Sequence, residues 1–190
     1  MEIKNKDGEL LLVVTDVGQS RVNSNLRYQL PESANLDGAN LAGKFLKGAK
    51  LEYAKLDSAD LSYANLEEAS LGMSNLGSAN LSQANLKNAD LYGSFLFMAN
   101  FENANLEGAN LQGVNLAEAN LKNANLSRAN LAPDNMGTES NLCGADLTGA
   151  RVALTIFKRA LYDASTIFPE GFRPEDHDME FGQNAGPESP

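Results

Sequence analysis

The chain has 190 residues, 43% of them hydrophobic and 7% aromatic, with no tryptophan and a net charge of −10. A lone cysteine, Cys143, excludes an internal disulfide framework, and no apolar run approaches the roughly 20 residues of a membrane span. The run Leu10–Val14 lacks the basic flank and cleavage site of a signal peptide, so a soluble, cytoplasmic domain is expected.

Residues 1–33 carry a charge of −1 and are read as an N-terminal cap. Within them Glu9–Thr15 has the apolar, β-branched character of a strand, followed by a turn at Asp16-Val17-Gly18.

A repeat then takes over. From Leu36 to Leu131 every fifth residue is Leu, except Phe101. The residue two places earlier is Ala, except at Lys44, Ser74, Ser94 and Val114, and the residue between them is usually Asn. A period of five suits neither standard element. In an α-helix five residues advance about 500°, so successive Leu side chains would drift around the axis. In a flat strand an odd spacing flips each one to the opposite face. Only a chain that bends once per repeat points every Leu inward. The result is a coil with Leu and Ala inside and the other three residues outside, its turns pairing their backbones at about 4.8 Å.

Ala79-Asn80-Leu81 and its nineteen companions resemble the pentapeptide-repeat family, whose consensus is A-(D/N)-L-x-x. That resemblance implies an all-β fold, a right-handed quadrilateral β-helix of about six coils with twenty residues in each. The residues support four sides independently. Ser74, Ser94 and Val114 are spaced by twenty, and Asp134 would continue their column. Lys47, Glu67, Lys87 and Glu107, at the same spacing, would alternate charge up one face, although Asp37 and Asp57 place like charges together. The β-helix is assigned to residues 34–165. A register slip near 135–141 is read as one extra residue, after which Ala145/Leu147, Ala150/Val152, Thr155/Phe157 and Ala160/Tyr162 resume the pattern.

The segment Tyr162–Pro174 resembles the endings of cyanobacterial members of the family. Residues 166–190 are read as an acidic, largely disordered tail; 163–190 alone contribute −6 of the net charge.

The sequence carries no motif of recognisable catalytic or metal-binding chemistry. The single histidine, His177, sits among Asp176, Asp178 and Glu180, which reads as a solvated charged tail. One His and one Cys cannot build a structural zinc site, and no glycine-rich phosphate loop occurs. Cys143 has no neighbouring base, and the tube is filled by Leu and Ala. No catalytic, cofactor or metal residues are assigned, and the chain is not expected to be an enzyme.

Function is therefore sought on the surface. Tyr53, Met73, Tyr92, Phe95, Phe97 and Met98 all fall on outward positions and form one candidate apolar patch at a corner. The expected partner is another protein or a second copy, unless the chain's own termini cover the patch. Lys44, Lys47, Lys50 and Lys55 form a basic cluster in the first two coils, read as a solvated face rather than a nucleic-acid site. The leading reading is a non-catalytic binding scaffold, with a purely structural solenoid as an alternative. The family resemblance adds a rival, mimicry of duplex DNA to bind DNA gyrase. Five coils span roughly 24 Å, which calls for on the order of fourteen net negative charges at DNA density; residues 34–131 carry −3.

Overall fold

The structure, a computed structural model, describes residues 2–4, 10–13 and 34–182. Strand β1, Glu2–Lys4, pairs antiparallel with β2, Leu10–Val13, inside the segment read as a strand. How residues 1–33 meet the first coil lies outside the described residues.

From Ala34 onward the chain is a right-handed, four-sided β-helix. From Asn35 to Asn110 each residue that precedes an interior Leu or Phe101 pairs in parallel with its counterpart in the next coil twenty residues on, as in Asn40–Asp60, Asp60–Asn80 and Asn80–Asn100. The coil closes on itself because each peptide group reaches a neighbouring coil. Asn80 N donates to Ala59 O at 2.9 Å, while Leu61 N donates to Asn80 O at 2.7 Å. Each corner is a β-turn in which the next Ala amide donates back to the Leu carbonyl, as Ala59 N does to Leu56 O at 3.0 Å. The residue before that Ala takes positive φ even where it is not glycine: 60° at Tyr53, 56° at Ser58, 57° at Met73. Such a conformation costs free energy in isolation and persists where the surroundings over-determine it. Here the strained residue's own amide is held by the next coil, Ser58 N donating to Gly77 O at 2.8 Å.

Leu61, Leu81, Phe101 and Leu121 stack on one face and are fully buried, as are Ala59, Ala79, Ala99 and Ala119 two residues before them. Outside the same face runs an amide ladder. Each Asn Oδ1 accepts the backbone amide two residues on, and each Nδ2 donates to the preceding coil: Asn80 to Asp60, Asn100 to Asn80, Asn120 to Asn100. A second ladder joins Asn65, Asn85, Asn105 and Asn125. A carboxylate accepts but cannot donate, so Asp60 and Asp90 serve as the first rungs of their ladders. At the far end Asp146 has no amide to offer Asn120 and instead pairs with Lys122 at 3.1 Å. The expected charge column appears as two separate pairs, Lys47–Glu67 at 2.8 Å and Lys87–Glu107 at 3.2 Å.

The register slip is larger than one residue. Asn110 pairs with Asn130, but Asn115 pairs with Asn141, so six extra residues leave the tube between Leu131 and Ser140. Six and one leave the same remainder in a period of five, which is why the pattern alone reads as one. Ser140, not Asp134, continues the Ser74–Ser94–Val114 column inside the tube. Asp134 instead organises the loop, accepting the amides of Met136 and Thr138 at 2.8 Å each.

The segment expected to be disordered from 166 is ordered as far as Gly182. A 3-10 helix, Pro174–His177, crosses to a short strand, Glu180–Phe181, which pairs in parallel with Leu161–Tyr162. His177 lies in this cap, not in a solvated tail. Its ring stacks on Phe172 at 4.4 Å, and Phe172 meets the buried Phe157 edge-on at 5.3 Å. Charge-rich composition suggests disorder, but six rings, those of Phe157, Tyr162, Phe168, Phe172, His177 and Phe181, pack together and supply the area that orders the cap. Arg159 fastens it, binding Glu180 at 3.0 Å and Glu139 of the inserted loop. Asp163, itself buried, joins this end to the coil beneath. Burial pushes its pKa up, but the Ser165 hydroxyl, the Gly144 and Ser165 amides and the Thr166 hydroxyl outweigh that and hold it at about 2.

Two outcomes are expected. Leu81→Ala should lower the unfolding free energy by about 2–5 kcal/mol in denaturant titration, whereas Asn80→Ala, losing half-buried side-chain bonds to Asp60, Ser82 and Asn100, should cost about 1–2 kcal/mol. For Asp163 the folded state favours the carboxylate, so its contribution is complete above the ordinary value of 3.8 and is lost as pH falls toward 2. Melting temperatures measured across that window should fall less steeply in Asp163→Asn than in the wild type.

Candidate interaction surface

Three faces of the solenoid are clad in Asn, Ser and charge, and two carry continuous amide ladders. The fourth, centred on Leu36, Leu56, Leu76, Leu96 and Leu116, departs from the pattern inside and out. Its inner small-residue column reads Ser74, Ser94, Val114 and Ser140. Its outer column reads Asn75, Phe95, Asn115, and no side-chain rung spans Phe95, because a phenyl ring can neither donate nor accept. The six-residue insert emerges at the corner just before it.

The six sequence-assigned residues fall on this face and its two corners, not at one corner. Tyr53 and Met73 are one coil apart on the leading corner, exposed by 59% and 53%. Tyr92 shares that corner and is half-buried. Phe95 lies on the face between, and Phe97 and Met98 occupy the trailing corner. The Phe95 and Phe97 rings approach to 6.1 Å at a tilt of 33°. Phe95 is 44% exposed and leans toward the coil below, its Cε1 lying 3.2 Å from where a Cβ on Gly77 would be. Met73 lies over Gly93 in the opposite sense, its sulfur 2.5 Å from the position a Cβ would take. With φ of 60°, Gly93 therefore both relaxes the turn and makes room for the thioether.

Sequence reasoning missed Met136, which is 90% exposed on the inserted loop next to the leading corner. A correct count of the insert would have found it. It also passed over Tyr63 and Phe45 on other parts of the tube, and Leu154 and Ile156 on the last coil. Tyr63 is partly satisfied, its hydroxyl accepting from Gln83 Nε2 at 2.7 Å.

The remaining candidates resolve into structure. Lys47 is held by Glu67, with Glu68 at 3.6 Å, and the Glu67 hydrogen bond raises its pKa. Lys44 takes the small-residue slot of the first coil yet stays half-exposed. Cys143 is half-buried, 3.3 Å from where a Cβ on Gly182 would be, and burial together with Asp163 raises its thiol pKa. Among the described residues no group of His, Cys, Asp and Glu is arranged to hold a metal ion, and no helix is long and apolar enough to cross a membrane.

The profile of pentapeptide repeats matches residues 32–67, 59–96 and 99–132 in eight copies, more than half of the chain. Comparison with curated proteins gave no match. Among solved structures the chain is similar to HetL, a pentapeptide repeat protein involved in heterocyst differentiation regulation from the cyanobacterium Nostoc sp. strain PCC 7120. Identity is 28% and the TM-score 0.44 over 74% of this chain, which spans 64% of the length of HetL. It is similar also to Rfr23 from the cyanobacterium Cyanothece 51142, at 29% identity and a TM-score of 0.37 over 68% of this chain and 90% of that one. QnrB1, a plasmid-mediated fluoroquinolone resistance protein, aligns over 84% of this chain and 87% of its own at 15% identity and a TM-score of 0.38. With its interior Leu at every fifth position and its twenty-residue coils, the chain belongs to the pentapeptide repeat family.

Proposed function

We propose that this protein is a non-catalytic scaffold or regulator that binds another protein through the face centred on Leu96. One observation carries the proposal: exposed aromatic and Met side chains, an irregular inner column and the inserted loop coincide on one side of the tube, whereas Phe45, Tyr63, Leu154 and Ile156 are scattered over the others. Tyr53, Met73, Phe95 and Met98 are largely exposed there, and Met136 projects beside them. Outward positions elsewhere are filled mainly by Ser, Gly, Asn and charge at no cost to the fold. Aromatic and Met side chains on one contiguous surface leave apolar area in water unless a partner covers it, and Met surfaces adapt readily to a partner's shape.

Mimicry of duplex DNA is disfavoured by charge. The first five coils lack the density that a gyrase-binding decoy requires, and the acidic residues follow no continuous stripe. The purified protein should leave gyrase supercoiling and its quinolone sensitivity unchanged at micromolar concentration; protection there would reverse the ranking of the two readings.

The decisive variant is Phe97→Asp, which places a charge on the outside of the tube. Affinity capture from the native organism should lose its specific partner, while circular dichroism and melting temperature stay those of the wild type. A lowered melting temperature with no change in capture would assign the cover to the chain's own termini. Unchanged capture, stability and oligomeric state would leave a purely structural solenoid.

A further inference from the structure

Resting on the reading of this face as the interaction surface, we infer that its partner presents a basic amphipathic α-helix lying along the solenoid axis. Three observations lead there. The first concerns backbone. On this face the peptide groups are spent between coils: Phe95 N on Ser74 O, Leu76 N on Phe95 O, Asn115 N on Ser94 O and Leu96 N on Asn115 O. A flat extended peptide laid across the face would find no backbone partner and would leave its own groups unpaired, at a cost in a dehydrated interface. A helix arrives with its backbone satisfied and offers side chains alone.

The second concerns shape. The apolar residues climb the axis, Tyr53 in the second coil, Met73 in the third, and Tyr92, Phe95, Phe97 and Met98 in the fourth. Successive coils are separated by about 4.8 Å and successive turns of a helix by about 5.4 Å. A stripe of apolar residues at i, i+3, i+4 and i+7 therefore meets the steps nearly one turn to a coil.

The third concerns charge. In the first five coils the ionisable residues on the outward positions of this face and its corners are Asp37, Glu52, Asp57 and Glu118, against a single Lys55. The acids lie at both ends of the apolar row. Asp37 and Glu118 are four coil steps apart, about 19 Å, the length of a helix of about 13 residues. Lys and Arg flanking the apolar stripe of such a helix would meet carboxylates at each end. Glu52 and Glu118 form no ion pair among the described residues.

The test uses the full chain and three synthetic peptides of about 18 residues, five helical turns. One places Leu in the helical stripe with Lys elsewhere. The second has the same composition with Leu and Lys alternating, and the third keeps the stripe with Glu in place of Lys. By fluorescence anisotropy the Leu/Lys stripe should bind at least about tenfold more tightly than either control, becoming helical by circular dichroism as it does. Phe97→Asp should weaken it by about tenfold or more. Glu52→Gln with Glu118→Gln should weaken it several-fold, with a smaller salt dependence. Equal binding of the alternating peptide, or of the Glu peptide, overturns the helix or the charge assignment respectively. Binding unaffected by Phe97→Asp places it elsewhere and also overturns the inference. If Phe97→Asp abolishes capture of a native partner while no striped peptide binds, the interaction face stands and the helix falls; if it changes neither, both fall.

Discussion

Backbone hydrogen bonding between coils is the constraint on which the other features of this molecule depend. Within a repeat the backbone closes only its corner, from the next Ala amide to the Leu carbonyl, and the Asn side chain takes the amide two residues on. The other peptide groups along the columns find partners in the neighbouring coil. That requirement sets the size of the coil, aligns identical positions in columns and holds non-glycine residues such as Tyr53 and Met73 at positive φ. With the columns aligned, Leu stacks on Leu and Asn on Asn, so the core and the outer ladders are both products of the same pairing.

Residue type decides what each column can carry. Inside, Ala leaves the room that Leu fills, and Phe101 is accommodated among Leu61, Leu81 and Leu121 without exposure. Ser74, Ser140 and Thr155 are tolerated within the tube because their hydroxyls donate to nearby carbonyls, those of Leu71, Leu111 and Leu126. Outside, the pairing leaves side chains free, and a surface can be varied there without disturbing the tube. In such a fold a binding role would be carried by outward positions, and the proposal places it on the face where Phe95 takes the place of Asn and Tyr53, Met73 and Met98 line the corners.

The fold was legible in the sequence because its signal is repeated twenty times and rests on one side chain. The interior positions followed from Leu and Ala spacing, while the four sides came from the family resemblance, supported by the twenty-residue spacing of Ser74, Ser94 and Val114. Features that occur once were not legible. The insert after Leu131 was undercounted because a period of five hides multiples of five, and Asp134 was placed inside when it braces a loop. The cap was misread because acidic composition hides a cluster of rings, Phe157, Phe168, Phe172 and His177, that only folding brings together. The candidate face was read residue by residue, but its spread over two corners depends on which two residues of each repeat form the turn.

The amide ladders have a direction. Every Nδ2 along them donates toward the coil that came earlier in the chain, and Asp60 and Asp90 stand at the receiving start. A ribosome releases those acceptors first. Each newly emerged coil of the ladder region thus meets a finished row of oxygens and carries matching donors, so the nascent chain can template its own next turn and grow as a crystal face does, one layer on the last. Contacts limited to adjacent coils suit such growth, and it proceeds in the order in which domains fold during synthesis, from the N-terminus onward. The interruption at Leu131 then falls after the last laddered coil is in place, where a pause leaves the completed layers intact.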